Sequence, residues 1–284
     1  MRTSTLKFKL AAAAAVLCLL APPALARPRG DERNTLRSLY TPEYLAFKKR
    51  IMAEFTKAGP GRFSEFVKRG KFGRDTGGDK NQKVLALTFD ACGGRHSGYN
   101  KKLIEYLRRE QIPATLFITG LWIEKNRDTF AELAKDPLFE IENHGLLHRL
   151  CSTEGRTMYG VHSTRDLGDV IDEMELGARK INDLSGRRPI FFRSATAYTD
   201  ELSLKVAERL GMEVVSYDIL SGDATHSSAK TMSANILKGA RHGAVVIMHF
   251  NHPGWAEREA LQLAVPELRK RGYDFIKLED FSMK

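Results

Sequence analysis

Apolar runs of strand length recur along most of the chain and alternate with longer amphipathic stretches. Seven such runs lie at 83–89, 114–119, 139–143, 189–192, 213–217, 244–248 and 273–278. Short apolar runs bounded by turn residues are typical of buried strands. The intervening stretches at 99–110, 164–184, 200–210, 229–240 and 255–271 have helical spacing, and we expect Pro266 to break the last of them.

The stretch 164–184 carries the clearest helical pattern, with one continuous apolar stripe. Ser163 and Asp166 are expected to form a capping box at its start, and Gly186 to close its end. Strands that alternate with helices pair in parallel, because each crossover needs a helix. The sequence therefore predicts an α/β fold, either a barrel or a wound sheet.

The first 82 residues differ from this pattern. Residues 1–26 contain three basic residues, an apolar run and Ala24-Leu25-Ala26, which together predict a cleavable signal peptide. The apolar run is too short to span a bilayer, which needs about 20 residues. We therefore expect export, to the periplasm or beyond, without a transmembrane anchor after cleavage. Residues 27–82 form an N-terminal extension and linker in which Thr41 and Pro42 begin a helix, and residues 83–284 form the main domain.

Composition narrows the function only a little. The chain is 42% hydrophobic and 28% charged, as in ordinary globular proteins, so it is neither disordered nor fibrous. Its net charge of +10 falls to +7 when the signal peptide is removed. An exported protein meets no nucleic acid, so the charge favours an anionic envelope partner, although a solvated basic surface explains it equally well.

Polar residues close most of the predicted strands. The first ends at Asp90, the third leads into His144 and His148, the fourth ends at Arg193, and the sixth at His249. The fifth leads to Asp218 and Asp223. Active sites of α/β folds lie at the carboxyl ends of the strands. Each residue alone could be a turn cap or a surface residue, but their shared position predicts an active site.

These strand ends resemble the NodB-type polysaccharide deacetylases, carbohydrate esterase family 4. The resemblance covers about 200 residues, from 83 to 281, and rests on five motifs in order. They are TFD at Thr88–Asp90, NHxxxH at Asn143–His148, FFR at Phe191–Arg193, the acid Asp223, and IMH at Ile247–His249. The resemblance implies a distorted (β/α)7 barrel and a metal-dependent hydrolase that removes N-acetyl groups from amino sugars.

The resemblance also implies roles for these residues. His144 and His148 would hold a divalent metal, most often Zn²⁺, and Asp90 would act as general base. Arg193 would pair with Asp90 and lower its pKa. His249 would be the general acid, with Asp223 holding its other ring nitrogen. The five remaining histidines, His96, His162, His226, His242 and His252, match no motif, and only His252 is close enough to His249 in sequence to line the cleft.

One departure from the family concerns the metal. The family usually has a second acid after the first, as a metal ligand, but Ala91 occupies this position. Asp90 could ligate the metal itself, the histidine pair could hold it with extra water, or Cys92 could supply a thiolate. We favour Asp90, because Cys92 lies two residues farther along a flexible loop and would bind the metal so firmly as to hinder turnover. Further departures, at Ser194-Ala195 and Ala224, affect the choice of substrate.

Three further expectations complete the sequence interpretation. The substrate would be an N-acetylated glycan such as peptidoglycan, exopolysaccharide or chito-oligosaccharide. Alternatives are a carbohydrate-binding protein that has lost metal chemistry, which Ala91 supports, and a deformylase or deacetylase of lipid-linked sugars. Finally, Cys92 and Cys151 both follow metal-site motifs, so we expect a disulfide between them, with two unlinked thiols as the alternative.

Overall fold

The computed structural model describes residues 38–65 and 83–282. The predicted signal peptide and much of the predicted extension and linker lie outside these ranges. The described strands are β1 (Phe63–Ser64), β2 (Lys83–Ala91), β3 (Ala114–Ile118), β4 (Phe139–Asn143), β5 (Phe191–Phe192), β6 (Thr199–Asp200), β7 (Glu213–Val214), β8 (Ile219–Leu220), β9 (Ala244–His249) and β10 (Tyr273–Ile276).

Helices fill the connections between the strands. They are α1 (Pro42–Glu54), α2 (Lys101–Arg109), α3 (Gly120–Lys125), α4 (Arg127–Lys135), α5 (Leu167–Ile171), α6 (Gly177–Ser185), α7 (Glu201–Arg209), α8 (Ala229–Gly239), α9 (Glu257–Lys270) and α10 (Glu279–Ser282). A π-helical segment, Asp172–Leu176, joins α5 to α6. Within the described ranges, none of the helices combines the length and hydropathy that crossing a membrane requires.

The main sheet is parallel and follows the order β7-β5-β4-β3-β2-β9-β8, with β10 also paired to the first half of β2. It curls into an open barrel of the NodB type, which confirms the predicted fold class. The predicted strand at 213–217 is wrong in one respect: it ends at Val214, and the next strand, β8, lies at the opposite end of the sheet. β7 pairs with β5 and β8 pairs with β9, so the residues between them cross the gap in the barrel.

Strand β2 has two faces of different character. Leu85, Leu87, Phe89 and Ala91 belong to the largest apolar cluster, with residues of α2, α3 and α9. The alternate positions Thr88 and Asp90 are polar and buried, because successive side chains of a strand point to opposite faces. The sheet therefore packs its helices on one face, and on the other face these polar groups follow a smaller apolar cluster that includes Ala86.

Helix ends differ from the sequence prediction at two places. Asp166 alone caps α5, accepting a hydrogen bond from the Asp169 N–H, so the predicted capping box with Ser163 is wrong. Helix α9 runs through Pro266 without a break, because buried neighbours such as Leu261 and Leu268 hold both halves against the core. Gly186 closes α6 in the left-handed conformation, as predicted. Helices α3 and α4 were not singled out from the sequence.

Helix α1, whose start at Thr41 and Pro42 was predicted, docks on the main domain. Thr41 caps its first turn, and Ile51 is fully buried among residues of α5, α7 and the π-helical segment. Asp172, the first residue of that segment, accepts hydrogen bonds from Tyr40 and Tyr44 and pairs with Lys48 at 2.6 Å. Burial, together with the Asp172 carboxylate, raises the pKa of both tyrosines, so both hydroxyls remain proton donors.

Removing the Asp172 charge should weaken this docking. In Asp172→Asn, three donors lose part of their acceptor capacity inside the protein, so we expect the free energy of unfolding to fall by about 1–3 kcal/mol. Denaturant unfolding measures this change. Glu105→Gln is the control, because Glu105 forms an exposed pair with Lys101 that water screens, and it should change stability very little. An equal effect of the two substitutions would contradict the proposed role of Asp172.

Candidate active site

The carboxyl edge of the sheet brings the predicted residues together. Asp90 on β2 is the register partner of His249 on β9, and Ala91 is the partner of Ile118 on β3. Asn143, which ends β4, is the partner of Phe192, directly before Arg193. Parallel register therefore sets the acid, both histidine motifs and the arginine at one edge.

Asp90 and Arg193 form the buried charged centre of this edge. Arg193 Nη1 donates to Asp90 Oδ1 at 2.7 Å and to Thr88 Oγ1 at 2.9 Å, and Nη2 donates to the Ser216 carbonyl at 3.0 Å. The guanidinium lies 4.1 Å from the centre of the Phe117 ring. Burial alone would raise the pKa of Asp90, but the charge of Arg193 and then those of His144 and His249 hold it below its ordinary value.

His144 is fixed in one orientation beside this pair. Its Nδ1 lies 2.8 Å from the Arg193 carbonyl oxygen, which can only accept, so Nδ1 carries the proton. The Nε2 lone pair then faces Asp90 Oδ2 at 3.7 Å and Cys92 Sγ at 3.9 Å. Burial lowers the pKa of His144, although Asp90 opposes this effect, and the neutral ring suits a metal ligand.

The loop that carries His144 and His148 is held by Glu173, in the π-helical segment. The Glu173 carboxylate accepts from the backbone N–H of Leu147 at 3.1 Å and of Arg149 at 2.9 Å. Gly145 has a φ of +90°, and a Cβ there would lie 2.2 Å from Glu173 Oε1. Burial raises the pKa of Glu173 to about 7, despite the opposing backbone hydrogen bonds. Glu173 has no match in the motifs, and sequence reasoning missed it.

His148 completes the histidine pair. It adopts a left-handed backbone conformation, with a φ of 56°, and its ring centre lies 4.9 Å from that of His144. Among the described residues, one group of possible metal ligands meets at this point. Its members are Cys92, His144 and His148, whose ligand atoms all lie within 4.8 Å of one another. Asp90 is outside this group, and its assignment as a metal ligand stays a prediction.

His249 is oriented by Asp223. Asp223 Oδ2 accepts from the His249 backbone N–H at 2.6 Å and lies 3.1 Å from Nδ1. Ser221 Oγ donates to the other oxygen, Oδ1, at 2.9 Å, as does the Ala224 N–H at 2.8 Å. A carboxylate that accepts from Nδ1–H leaves the opposite nitrogen, Nε2, facing the cleft. The predicted pairing of these two residues is confirmed.

A narrow cleft lies between these groups. It is lined by Asp90, Cys92, His144, His148, Val161, Thr196, Ala197, Tyr217, Ile247 and His249. Tyr217 also donates to Glu65, so residues preceding the main domain reach the wall of the cleft. A larger groove beside α1 is mainly apolar and contains none of the predicted site residues.

The predicted disulfide and the predicted place of His252 in the cleft are both wrong. Cys92 and Cys151 are both buried, and they lie in different surroundings. Cys92 lies beside His144, whereas Cys151 packs in the separate apolar cluster that also holds Ile51 and Phe192, so no disulfide joins them. His252 is not among the residues that line the cleft; its ring stacks on Trp255, with 3.9 Å between the centres.

A second layer of residues behind His249 was also missed. The Trp255 ring contacts His249 edge-on, with the ring centres 5.8 Å apart. Glu257, at the start of α9, is fully buried and accepts from Asn100 Nδ2 at 3.2 Å. Burial, and next the charge of Asp223, raise its pKa to about 8. A buried acid of this kind gives no signal in the sequence, because its position looks like an ordinary first turn of a helix.

Comparison with known proteins agrees with the motifs. A family model described as polysaccharide deacetylase matches residues 77–215. A peptidoglycan-N-acetylglucosamine deacetylase of Bacillus cereus is 24% identical over 206 residues, which cover 70% of this chain and 88% of that one. The peptidoglycan-N-acetylmuramic acid deacetylase PdaA of Bacillus subtilis is 26% identical over 207 residues, covering 72% and 73%.

Solved structures share the fold. The structure of BA3943, a CE4 family pseudoenzyme from Bacillus anthracis, superposes with a TM-score of 0.61 at 19% identity. The match covers 72% of this chain and 66% of that one.

The raised pKa of Glu257 predicts a pH effect on stability. Between pH 4.5 and about 8, the folded chain holds a proton on Glu257 that the unfolded chain releases, so stability falls as the pH rises. The loss is at most about 1.4 kcal/mol per pH unit. The side chain in Glu257→Gln cannot ionise. The free energy of unfolding of this variant should therefore rise relative to that of the wild type as the pH increases from 6 to 8.

Denaturant unfolding at several pH values measures this difference. Glu259→Gln, two residues along the same helix, is the control. Burial of Glu259 is outweighed by its hydrogen bonds to Arg258, which lower its pKa, so it is ionised in both states over this range. If wild type and Glu257→Gln showed parallel pH curves, Glu257 would be ionised in the folded protein.

Proposed function

Because this chain belongs to the polysaccharide deacetylase family, we propose that it is a metal-dependent hydrolase that removes N-acetyl groups from amino sugars of a cell-wall polysaccharide. The observation that carries the proposal is the meeting of Asp90, the histidine pair and His249 around one cleft. Both peptidoglycan deacetylases described above support the choice of substrate. The predicted signal peptide would bring the enzyme to that substrate outside the cytoplasm.

The donor set suits a divalent cation. His144 and His148 would hold it. Nε2 of His144 carries no proton, so its lone pair can bind the ion, and the Arg193 carbonyl fixes the orientation of the His144 ring. When bound, the ion would polarise the amide carbonyl and lower the pKa of a water molecule.

Asp90 is the proposed general base. Arg193 occupies its Oδ1, so the remaining oxygen, Oδ2, faces the histidines and is free to accept a proton from the attacking water. The lowered pKa of Asp90 keeps it ionised at neutral pH. Arg193 therefore fixes both the direction and the charge of the base.

His249 is the proposed general acid. Its Nδ1–H is held by Asp223, and a protonated Nε2 can donate to the sugar nitrogen as the carbon–nitrogen bond breaks. The products are acetate and the free amino sugar. The Asp223 carboxylate stabilises the protonated imidazole, in the same way that carboxylates orient histidines in other hydrolases.

A second candidate function is glycan binding without catalysis. Ala91 stands where the family usually has a metal-ligating acid, and the pseudoenzyme BA3943 has the same fold. The intact set of Asp90, Arg193, Asp223 and both metal-site histidines favours an enzyme over this candidate.

Acyl release from defined substrates tests the function. We expect purified, metal-loaded protein to release acetate from N-acetylated peptidoglycan fragments. Chito-oligosaccharides, exopolysaccharide, and lipid-linked acetylated or formylated sugars form the comparison panel. His148→Ala should lose both bound metal and activity, whereas His96→Ala, at an exposed histidine, should retain both. If no divalent metal bound under any loading condition and no acyl group were released, the binding-protein candidate would replace this proposal.

The division of roles predicts different defects for two variants. Asp90→Asn should abolish turnover, because the amide cannot accept the proton of water. His249→Ala should lower kcat at least about 100-fold, the usual contribution of a positioned acid, with metal content unchanged. Elemental analysis and steady-state kinetics measure both quantities. Equal loss of metal in the two variants would refute the division.

A further inference from the structure

Cys92 directly follows β2 and lies on the same side of that strand as Thr88 and Asp90. Thr88 and Asp90 face Arg193, whereas Leu87, Phe89 and Ala91 face the apolar cluster. The next residue in this alternation, Cys92, returns to the polar side, and its Sγ lies 3.9 Å from His144 Nε2. An acid at position 91 would point in the other direction if the strand kept its present alternation.

We propose that the Cys92 thiolate is the third protein ligand of the metal, beside His144 and His148. This inference rests on the proposed function, because it assumes that the histidine pair binds a divalent ion. Tetrahedral zinc with usual bond lengths places a sulfur and a nitrogen ligand about 3.6 Å apart. The 3.9 Å between Cys92 Sγ and His144 Nε2 needs only a small adjustment to reach this value.

Asp90 is less suited to the same role. Its Oδ1 is held by Arg193 at 2.7 Å, and the carboxylate lies outside the group of mutually close ligand atoms. Ligation by Cys92 leaves Asp90 free to act as the base. The position of Cys92 is also well fixed: the residue is buried, and a Cβ at the following Gly93 would lie 2.7 Å from Leu121 Cβ.

The donor set has a consequence for the metal. Two imidazoles and one thiolate form a soft site with a fourth position open for water or substrate. Such a site favours Zn²⁺ or Co²⁺ over Mg²⁺ and Mn²⁺, which prefer oxygen ligands. Cys92 would therefore compensate for the missing acid at position 91.

X-ray absorption spectroscopy of the zinc-loaded wild-type chain tests the ligand without any substitution. We expect one sulfur neighbour at about 2.3 Å, with nitrogen or oxygen atoms completing the shell. The cobalt-loaded chain should also show a thiolate-to-cobalt charge-transfer band in the near ultraviolet. A zinc shell without sulfur would overturn the proposal.

Matched cysteine variants assign the sulfur. Cys92→Ser should lose the cobalt band and bind Zn²⁺ more than about 100-fold more weakly, beyond the 10- to 100-fold that removal of a residue that only orients a ligand typically costs. Cys151→Ser should keep both, because Cys151 lies in the other apolar cluster. Cys92→Asp should bind metal without the band. A band that survives in Cys92→Ser would overturn the assignment.

The outcomes separate this inference from the proposed function. If the wild type binds zinc without sulfur and still releases acetate, Cys92 is not a ligand and the deacetylase function stands. If the wild type binds no metal and releases no acyl group, the proposed function fails and the ligand assignment fails with it.

Discussion

The buried carboxylate of Glu173 sets the shape of the loop that carries the histidine pair. It accepts hydrogen bonds from two backbone N–H groups of that loop, and Gly145 is required because any side chain there would collide with it. Without this acceptor, buried donors would be left unpaired, at a cost of about 1–3 kcal/mol each. The positions of His144 and His148 therefore depend on a helix that follows them in the chain.

A second buried side chain, that of Arg193, positions Asp90. Arg193 is fully buried, and its donors reach Asp90, Thr88 and the backbone near Ser216. A buried guanidinium of this kind is tolerated only when its donors are paired. The same contacts that satisfy the arginine also orient the proposed base. Stability and chemistry thus rest on one set of hydrogen bonds.

Sequence periodicity was sufficient to predict the parallel strands and the polar residues that end them, because parallel register brings strand ends to a common edge. It could not show that the strand predicted at 213–217 ends at Val214, or that residues 215–218 connect strands at opposite ends of the sheet, since short pairings depend on which neighbour is available. The predicted disulfide assumed that Cys92 and Cys151 point toward each other, but side-chain direction follows from local backbone geometry. Glu173 and Glu257 gave no signal either, because acids on helices are usually exposed.

The π-helical segment couples two features of the protein during evolution: the docking of α1 and the support of the loop that carries His144 and His148. Its first two residues point in different directions, Asp172 toward the N-terminal helix and Glu173 toward the histidine loop. Deleting one residue before them would rotate both carboxylates by about 100° around the helix axis relative to the preceding α5, since each residue advances the helix by that angle. Docking of the extension and support of the loop that carries His144 and His148 would be lost in one step. These two features are therefore expected to be inherited together, and to vanish together, among related chains.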